Sequence, residues 1–479
     1  MADPRPANRA RPPALRIALV SALVGAAAAL LQLGERQAPG FAPTALEAPG
    51  YEALTVDMRY RVALFAWDLA RRSGVSDVAA PSEWEEAAIA DYERLALRTH
   101  PDTAACHRLG LIYAGRGYLR QAREMLTRAV AQDEGAGEVY WALLLVYSEE
   151  AIRARDVPRL RASLLRQPNW LAYRSLADLA RRVQLPSLAE VYDRQARREV
   201  DRFGLCIGLL ALGGAAVVGL SVVSLLIAAV RALFSRGRHS APWAPTLPPV
   251  RWIEVLEVAA LAAFCNALGQ AARASVGATP GSAEDLALRA LHAVLALGPP
   301  LLLVIVRAER GWLPWPRALG LTSQGLGRHL FEALVGLGAV LATSVLLRDL
   351  LSAGLQTLAP GPGLGALGAQ ALRSAGGAGA LMEFGLLVLL APVAEELIFR
   401  GFIFRALLDE LRPLAAAGLS AVLFAAAHLA WEPQSCAPLL AVGLASAYLY
   451  RHSRSLLPCI LLHAAYNAAI LAAGYALRM

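Results

Sequence analysis

The sequence contains no lysine, only five cysteines and few charged residues. All 46 basic residues are therefore arginine, and charged residues make up 18% of the 479 positions while hydrophobic residues make up 57%. Arginine without lysine, in a chain rich in alanine and glycine, indicates a coding bias. A nucleic-acid-binding surface would instead cluster its basic residues on one polar element. The low charge and high apolar content are typical of membrane proteins, so we expect an integral membrane protein and no nucleic-acid partner.

The cysteines indicate neither a disulfide framework nor a CxxC metal site, because they are few and far apart in the sequence. All but one lie in apolar segments, where a thiol is generally a small buried hydrophobic group. They are Cys106, Cys206, Cys265, Cys436 and Cys459.

The N-terminal region has the pattern of a membrane anchor. Residues 1–14 form a basic tail, and residues 15–33 form an apolar run close to the roughly 20 residues that a helix needs to cross a bilayer. A cleaved signal peptide is the alternative, although its apolar region is usually only about 7–15 residues long. Either interpretation exports the segment that follows.

Residues 51–201 are polar, have helical periodicity and are predicted to form a soluble helical domain. One stretch resembles a tetratricopeptide repeat, in which small residues let two helices approach closely. It comprises Cys106, Leu109, Gly110, Tyr113, Ala122, Leu126 and Ala129. Weaker matches at about the 34-residue period are Ala88 and Tyr92, then Tyr140, Leu143 and Tyr147, then Tyr173, Leu176, Ala189 and Ala196. An ordinary helical bundle remains the alternative for these outer matches. A repeat stack presents a concave surface, so a protein partner is expected here.

The rest of the chain is predicted to be mostly membrane. A transmembrane helix is expected at residues 203–234, and a polytopic membrane domain at residues 251–479. The predicted spans are 203–232, 253–272, 286–306, 331–351, 381–404, 414–429, 437–450 and 456–477, which with the N-terminal run makes nine. Residues 41–49 and 242–249 are predicted linkers. The expected fold class is all-α, a polytopic transmembrane helix bundle with a soluble tetratricopeptide-like helical-repeat insertion.

The arginines predict an orientation in the membrane. Clusters within residues 5–16, 231–238, 307–317 and 451–454 fall on one side if the spans alternate, and positive short loops tend to stay cytoplasmic. This places the helical domain outside the cytoplasm, and we expect a bacterial inner membrane protein.

Two adjacent acids, Glu395 and Glu396, interrupt a strongly apolar stretch. A charged side chain at the centre of a bilayer costs about 2.5–3.5 kcal/mol even on insertion scales, so such residues are retained for pairing, transport or catalysis. Glu396 and Arg400 are one helical turn apart and are predicted to form an ion pair, while Glu395 lies on another face.

Two later apolar segments each carry a histidine. Phe424 and His428 are one turn apart in the first, and His463 and Asn467 are one turn apart in the second. Taken singly, a membrane histidine is generally a hydrogen-bonded packing residue, and a membrane asparagine generally links two helices. The joint pattern EExxxR, FxxxH, HxxxN is far more specific.

This pattern resembles the intramembrane protease family that includes the type II CAAX prenyl endopeptidases and the bacterial abortive-infection-like proteins. It places a protease-like core at about residues 328–479. The resemblance implies hydrolysis of a membrane-associated peptide or protein inside the bilayer, with Glu395 as general base. It also implies that His428, His463 and Asn467 line the same cavity. Arg400 is expected to hold Glu396 and so to fix the helix that presents Glu395. The candidate catalytic residues are Glu395, Glu396, Arg400, His428, His463 and Asn467.

Metal dependence is also expected, because imidazole nitrogens are common ligands of zinc and other divalent ions. His428 and His463 are the candidate ligands. The alternative is that they act with Asn467 as donors to the oxyanion of the tetrahedral intermediate. Two other classes stay open, an inactive membrane scaffold or sensor and a proton-coupled transporter, since both also place Glu and His in a membrane interior.

Overall fold

The structure is a computed structural model of the full chain. It describes residues 19–26, 51–73, 81–97, 103–132, 157–164, 170–234, 250, 252–276, 283–311, 313–321, 325–354, 378–428 and 433–478. This described part is helical, and no strand occurs in it, so the all-α prediction is confirmed.

The chain divides into two compact units. The described residues within Glu47–Leu212 and Ala473–Met479 form one unit, here called the repeat unit. Those within Met1–Leu46 and Gly213–Ala472 form the other, here called the membrane unit.

The repeat unit is a series of short helices with a core of small and aromatic side chains. Its helices are α1 (Tyr51–Arg72), α2 (Pro81–Ala96), α3 (Thr103–Gly115), α4 (Leu119–Gln132), α5 (Val157–Leu164), α6 (Trp170–Arg182) and the first part of α7 (Pro186–Phe234).

Helices α3 and α4 form the helical hairpin that the repeat-like spacing predicts. Gly117 adopts φ +84° in the turn, a conformation that glycine tolerates best. A Cβ atom on Gly110 would lie 2.9 Å from Leu126 Cγ, so a glycine is needed where the two helices touch. Of the outer matches, Ala88, Tyr92, Leu176, Ala189 and Ala196 are buried, whereas Tyr140, Leu143 and Tyr147 lie outside the described residues. Assignment to the tetratricopeptide class stays a prediction.

The membrane unit contains longer and more apolar helices. They are the rest of α7, α8 (Trp252–Val276), α9 (Ala283–Ala308), α10 (Trp315–Ala318), α11 (Leu326–Gly354), α12 (residues 378–410), α13 (Pro413–Ala427), α14 (Pro433–Ser453) and, up to Ala472, α15 (Leu457–Arg478).

Four helices of the described part are long and apolar enough to cross a membrane. Their candidate spans are Pro186–Ser224, Trp252–Arg273, Ala283–Ala308 and Leu326–Ser344. They correspond to the predicted spans 203–232, 253–272, 286–306 and 331–351, and the chain is an integral membrane protein. The other predicted spans after residue 380 occur as α12 to α15, of which Pro413–Ala427 and Leu457–Ala473 are apolar but shorter. Of the N-terminal run, residues 19–26 are helical, and the remainder lies outside the described residues, as do both predicted linkers. The count of nine spans and the orientation stay predictions.

Helix α12 contains two π-helical segments. Its segments are Ala378–Glu383, a π-helical Phe384–Leu390, a regular Ala391–Glu396, a π-helical Leu397–Phe404 and a regular Arg405–Glu410. All eight residues of the second π segment are buried, so this helix runs through the core of the membrane unit. Short π-helical turns within α-helices are frequent at functional sites, and here they flank the two adjacent acids.

Candidate active site

Glu396 is locked inside the protein. Its side chain and that of Arg400 are both fully buried, and Arg400 Nη1 donates to Glu396 Oε1 at 3.0 Å. The predicted ion pair across one helical turn is therefore present. Separating the two charges would be costly, because it would leave each of them buried without compensation.

His463 links the acid pair to the last helix. Its Nδ1 lies 2.9 Å from Glu396 Oε1, and its Nε2 lies 3.8 Å from Glu395 Oε2. The imidazole thus lies between the two carboxylates, and only 5% of its side chain is exposed. Glu396 therefore accepts from Arg400 of its own helix and from His463 of α15, which ties the acid pair to the last helix.

His428 lies at the C-terminal end of α13, as its C-cap residue. The ring Nδ1 donates to Phe424 O at 2.8 Å, and the backbone N–H of the same residue donates to Ala425 O at 3.2 Å. These bonds assign the Nδ1 proton to the helix end and leave Nε2 for the site. Nε2 lies 3.4 Å from Glu395 Oε2, so His428 is aimed at the acid that the sequence singled out as the base.

Phe424 packs the site together. Its ring centroid lies 4.6 Å from that of His428 and 5.7 Å from that of His463, the latter edge to face. The Arg400 guanidinium lies over the same ring at 4.4 Å, a cation–π distance. One aromatic ring therefore positions both imidazoles and the arginine.

Asn467 is bound to the backbone of α12, where its Nδ2 donates to Leu387 O at 2.8 Å. In the first π segment the N–H of Ala391 goes to Leu386 O, and the residue five places after Leu387 is Pro392, which has no N–H to donate. The Asn467 amide supplies that carbonyl with a donor and ties α15 to α12 next to the acids. An oxyanion role for Asn467 stays a prediction. It would have to use the second hydrogen of the amide, because the first donates to Leu387 O.

A cavity of about 180 Å³ opens beside Glu395. Glu395 and His428 line it, with side chains 13% and 31% exposed, whereas Glu396 is fully buried. Its apolar wall is formed by small and aliphatic side chains with one aromatic ring, namely Ala262, Ala293, Ala296, Leu297, Leu386, Leu387, Ala391, Ile398, Phe399 and Ala427. Of the two adjacent acids, Glu395 is therefore the one that a molecule in the cavity meets.

A second polar group, which the sequence motifs did not indicate, lines the same cavity. Arg289 pairs with Asp285 at 2.8 Å and with Glu383, and His292 Nε2 lies 2.8 Å from Asn266 Oδ1. These residues belong to α8, α9 and the first turns of α12, outside the EExxxR, FxxxH and HxxxN pattern. Their position inside apolar helices was a usable signal, since intramembrane polar residues are expensive and functional.

The geometry supports the predicted metal site less well than it supports the predicted role of Glu395 as general base. Within the residues that the structure describes, no group of three or more His, Cys, Asp or Glu side chains is arranged as a metal site requires. The Nε2 atoms of His428 and His463 both face Glu395, and His463 Nδ1 is taken by Glu396. Metal binding stays a prediction.

Comparison with known proteins gives one family match. The model described as "Type II CAAX prenyl endopeptidase Rce1-like" matches residues 377–469, which is about a fifth of the chain and narrower than the predicted core at 328–479. No similar protein was found among curated proteins, and none among solved structures. All six predicted site residues fall within the matched segment, namely Glu395, Glu396, Arg400, His428, His463 and Asn467. Residues 377–469 thus form a domain of the Rce1-like type II CAAX prenyl endopeptidase family.

Proposed function

We propose that this chain is an intramembrane endopeptidase of the CAAX type, which hydrolyses a peptide bond in a membrane-associated peptide or protein. One observation carries the proposal: the two adjacent acids have different surroundings. Glu395 faces the cavity together with His428, while Glu396 is sealed against Arg400 and His463. A carboxylate that faces the cavity can take a proton from water. The buried carboxylate beside it can hold the helix in place.

Glu395 acts as the general base in this proposal. Its carboxylate takes a proton from a water molecule in the cavity, and the resulting hydroxide adds to the carbonyl carbon of the substrate. The tetrahedral intermediate then collapses by breaking the C–N bond, and the proton held on Glu395 passes to the leaving amine. The proton balance closes within the site, so no other reactant is needed.

His428 stabilises the oxyanion. The Nδ1–H donates to Phe424 O, and in this proposal Nε2 carries a proton as well, so that an imidazolium faces the Glu395 carboxylate with Nε2 3.4 Å from Oε2. When Glu395 takes a proton from water, Nε2–H becomes free to donate to the developing negative charge. Removing one such donor lowers the rate by about 10²–10³-fold.

Glu396, Arg400 and His463 are positioning residues in this proposal. They fix the segment Ala391–Glu396 between two π-helical turns and thereby orient Glu395. Catalytic groups must be held close to the reactive geometry, and an error of about 1 Å can lower the rate about 100-fold.

The test uses purified full-length protein in liposomes and a library of internally quenched peptides that each carry one lipid-anchored end. Glu395→Gln should lower cleavage by about 10²–10⁴-fold, the usual contribution of a general base. Asp409→Asn is the matched control, because Asp409 lies on the same helix, pairs with Arg405 at 2.8 Å and is 44% exposed. Cleavage by Glu395→Gln at the parental rate would overturn the proposal. Absence of cleavage together with pH-dependent solute uptake, lost in the same variant, would favour the transporter.

The substrate is proposed to be a membrane-attached protein segment rather than a prenylated one, and the repeat unit is proposed to bind that protein or its partner. The repeat-like spacing of the α3–α4 hairpin supports this, because a stack of such repeats presents a continuous concave surface to proteins. The arginine distribution supports a bacterial inner membrane location with the repeat unit outside the cytoplasm. Deleting residues 51–198 should leave cleavage of short lipid-anchored peptides intact and lower cleavage of full-length protein substrates. Unchanged selectivity would count against a role for the repeat unit.

A further inference from the structure

We propose that Asn266 and His292 position the reactive histidine by holding the end of α13. The inference rests on the function proposed above and extends its site to residues outside the matched segment 377–469.

The end of α13 needs hydrogen-bond donors. The last four carbonyls of an α-helix have no partner within the helix. His428 itself supplies two of them, through its ring to Phe424 O and through its backbone to Ala425 O. Asn266 supplies a third, because its Nδ2 donates to Ala427 O at 2.9 Å. The carbonyl that Asn266 binds directly precedes the histidine that faces Glu395.

His292 sets the orientation of the Asn266 amide. Its Nε2 lies 2.8 Å from Asn266 Oδ1, and because that oxygen can only accept, Nε2 carries the proton. With the oxygen bound in this way, the Nδ2 group is turned towards Ala427. Gly269, one turn after Asn266 on α8, leaves room for the imidazole, since a Cβ atom there would collide with His292 Cδ2.

This relay joins three helices to one side chain. It runs from His292 on α9 through Asn266 on α8 to the last residue of α13, and the next residue is His428. Losing Asn266 would free the helix end to fray, so that Nε2 of His428 would no longer be held 3.4 Å from Glu395 Oε2. Asn266 and His292 both line the cavity, so a direct catalytic role for His292 is the competing explanation.

Three variants separate the two explanations. Asn266→Ala should lower kcat by up to about 100-fold while KM changes little, because the reactive geometry and not substrate binding is lost. His292→Leu should also lower kcat, whereas His292→Gln should stay close to the parent, because the glutamine amide still donates to Asn266 Oδ1. If His292 were an acid or base, His292→Gln would be as inactive as His292→Leu, and that result would overturn the relay. This pair keeps Asn266 intact and remains decisive if Asn266→Ala fails to fold.

Ser221→Ala is the matched control. Ser221 Oγ also donates to a backbone carbonyl of another helix in the membrane unit, that of Val335, at 2.8 Å. Its loss should lower thermal stability and leave kcat unchanged.

Amide hydrogen exchange gives a readout that does not need proteolysis. Peptides covering residues 424–428 should exchange faster in Asn266→Ala than in the parent, and no faster in Ser221→Ala. Unchanged exchange would overturn the relay even if the activity of Asn266→Ala falls. If the parent protein proves inactive, exchange alone decides this inference, and the proposed function fails separately.

Discussion

Replacing Arg400 by methionine should strongly destabilise the membrane unit. The side chains of Arg400 and Glu396 are both fully buried, and their ion pair is 3.0 Å long. Removing one partner of a buried pair leaves an uncompensated charge and costs about 3–5 kcal/mol of unfolding free energy. The single variants Arg400→Met and Glu396→Leu should therefore each lose about this much.

The double variant should lose less than either single variant. With both charges removed, the remaining defect is His463 Nδ1, which loses its acceptor Glu396 Oε1 at 2.9 Å. A buried polar group left without its partner costs about 1–3 kcal/mol. The unfolding free energy of Glu396→Leu/Arg400→Met should therefore lie about 1–3 kcal/mol below the parent, above both single variants.

The measurement is the unfolding of the purified protein in mixed micelles as the concentration of a denaturing detergent is raised, with intrinsic fluorescence as the probe. Glu190→Gln serves as the control, because its i,i+4 pair with Arg194 on α7 is 3.4 Å long, exposed on both sides and should contribute less than about 1 kcal/mol. A double variant whose loss equals the sum of the two single losses would refute the reasoning, because the two buried charges would then not compensate each other.

Three further outcomes are expected. Asn467→Leu should lower stability by about 1–3 kcal/mol by leaving the Leu387 carbonyl without its side-chain donor, and Asn467→Ser should recover part of the loss if the hydroxyl reaches it. Burial lowers the pKa of His107 in the repeat unit from 6.5 to about 3, so the stabilising contribution of its neutral form is complete above pH 6.5. This contribution should be lost as the pH falls from 6.5 towards 3. His107→Gln should therefore flatten the pH dependence of the repeat unit's melting temperature. A parallel decline of the melting temperature in the parent and the variant would contradict this expectation. Prolonged chelation should leave peptide cleavage unchanged if Glu395 works without a metal, and loss of activity restored by zinc would support the metal prediction.

The local part of the site could be predicted from the sequence because it depends on spacing within single helices. The pairing of Glu396 with Arg400 and of Phe424 with His428 follows from a separation of one helical turn. The close approach of two helices at Gly110 could be predicted for the same reason, because the repeat-like spacing places a small residue where the helices of one hairpin meet.

The remaining features depend on contacts that no spacing encodes. The bond from Asn266 to the end of α13 spans 161 residues in sequence, and only the packing of α8 against α13 brings the two together. The π-helical turns were missed because a periodicity of 3.6 residues is assumed when apolar patterns are read. A link from Asn467 to another helix agrees with the usual role of a membrane asparagine, but its partner, the Leu387 carbonyl, depends on those turns and could not be predicted.

The first π-helical segment also sets how the start of α12, which carries Glu383, is rotated relative to the part that carries Glu395. Glu383, which pairs with Arg289, and Glu395 line one cavity although they are twelve residues apart in sequence. In a regular helix of about 3.6 residues per turn, they would differ by about a third of a turn. A π-helical turn accommodates one additional residue, which brings the two carboxylates back onto one face. Rewinding Phe384–Leu390 into a regular helix would turn the Arg289–Glu383 ion pair away from the Glu395 carboxylate. The winding of this single segment therefore decides whether the ion pair and the base face the same substrate.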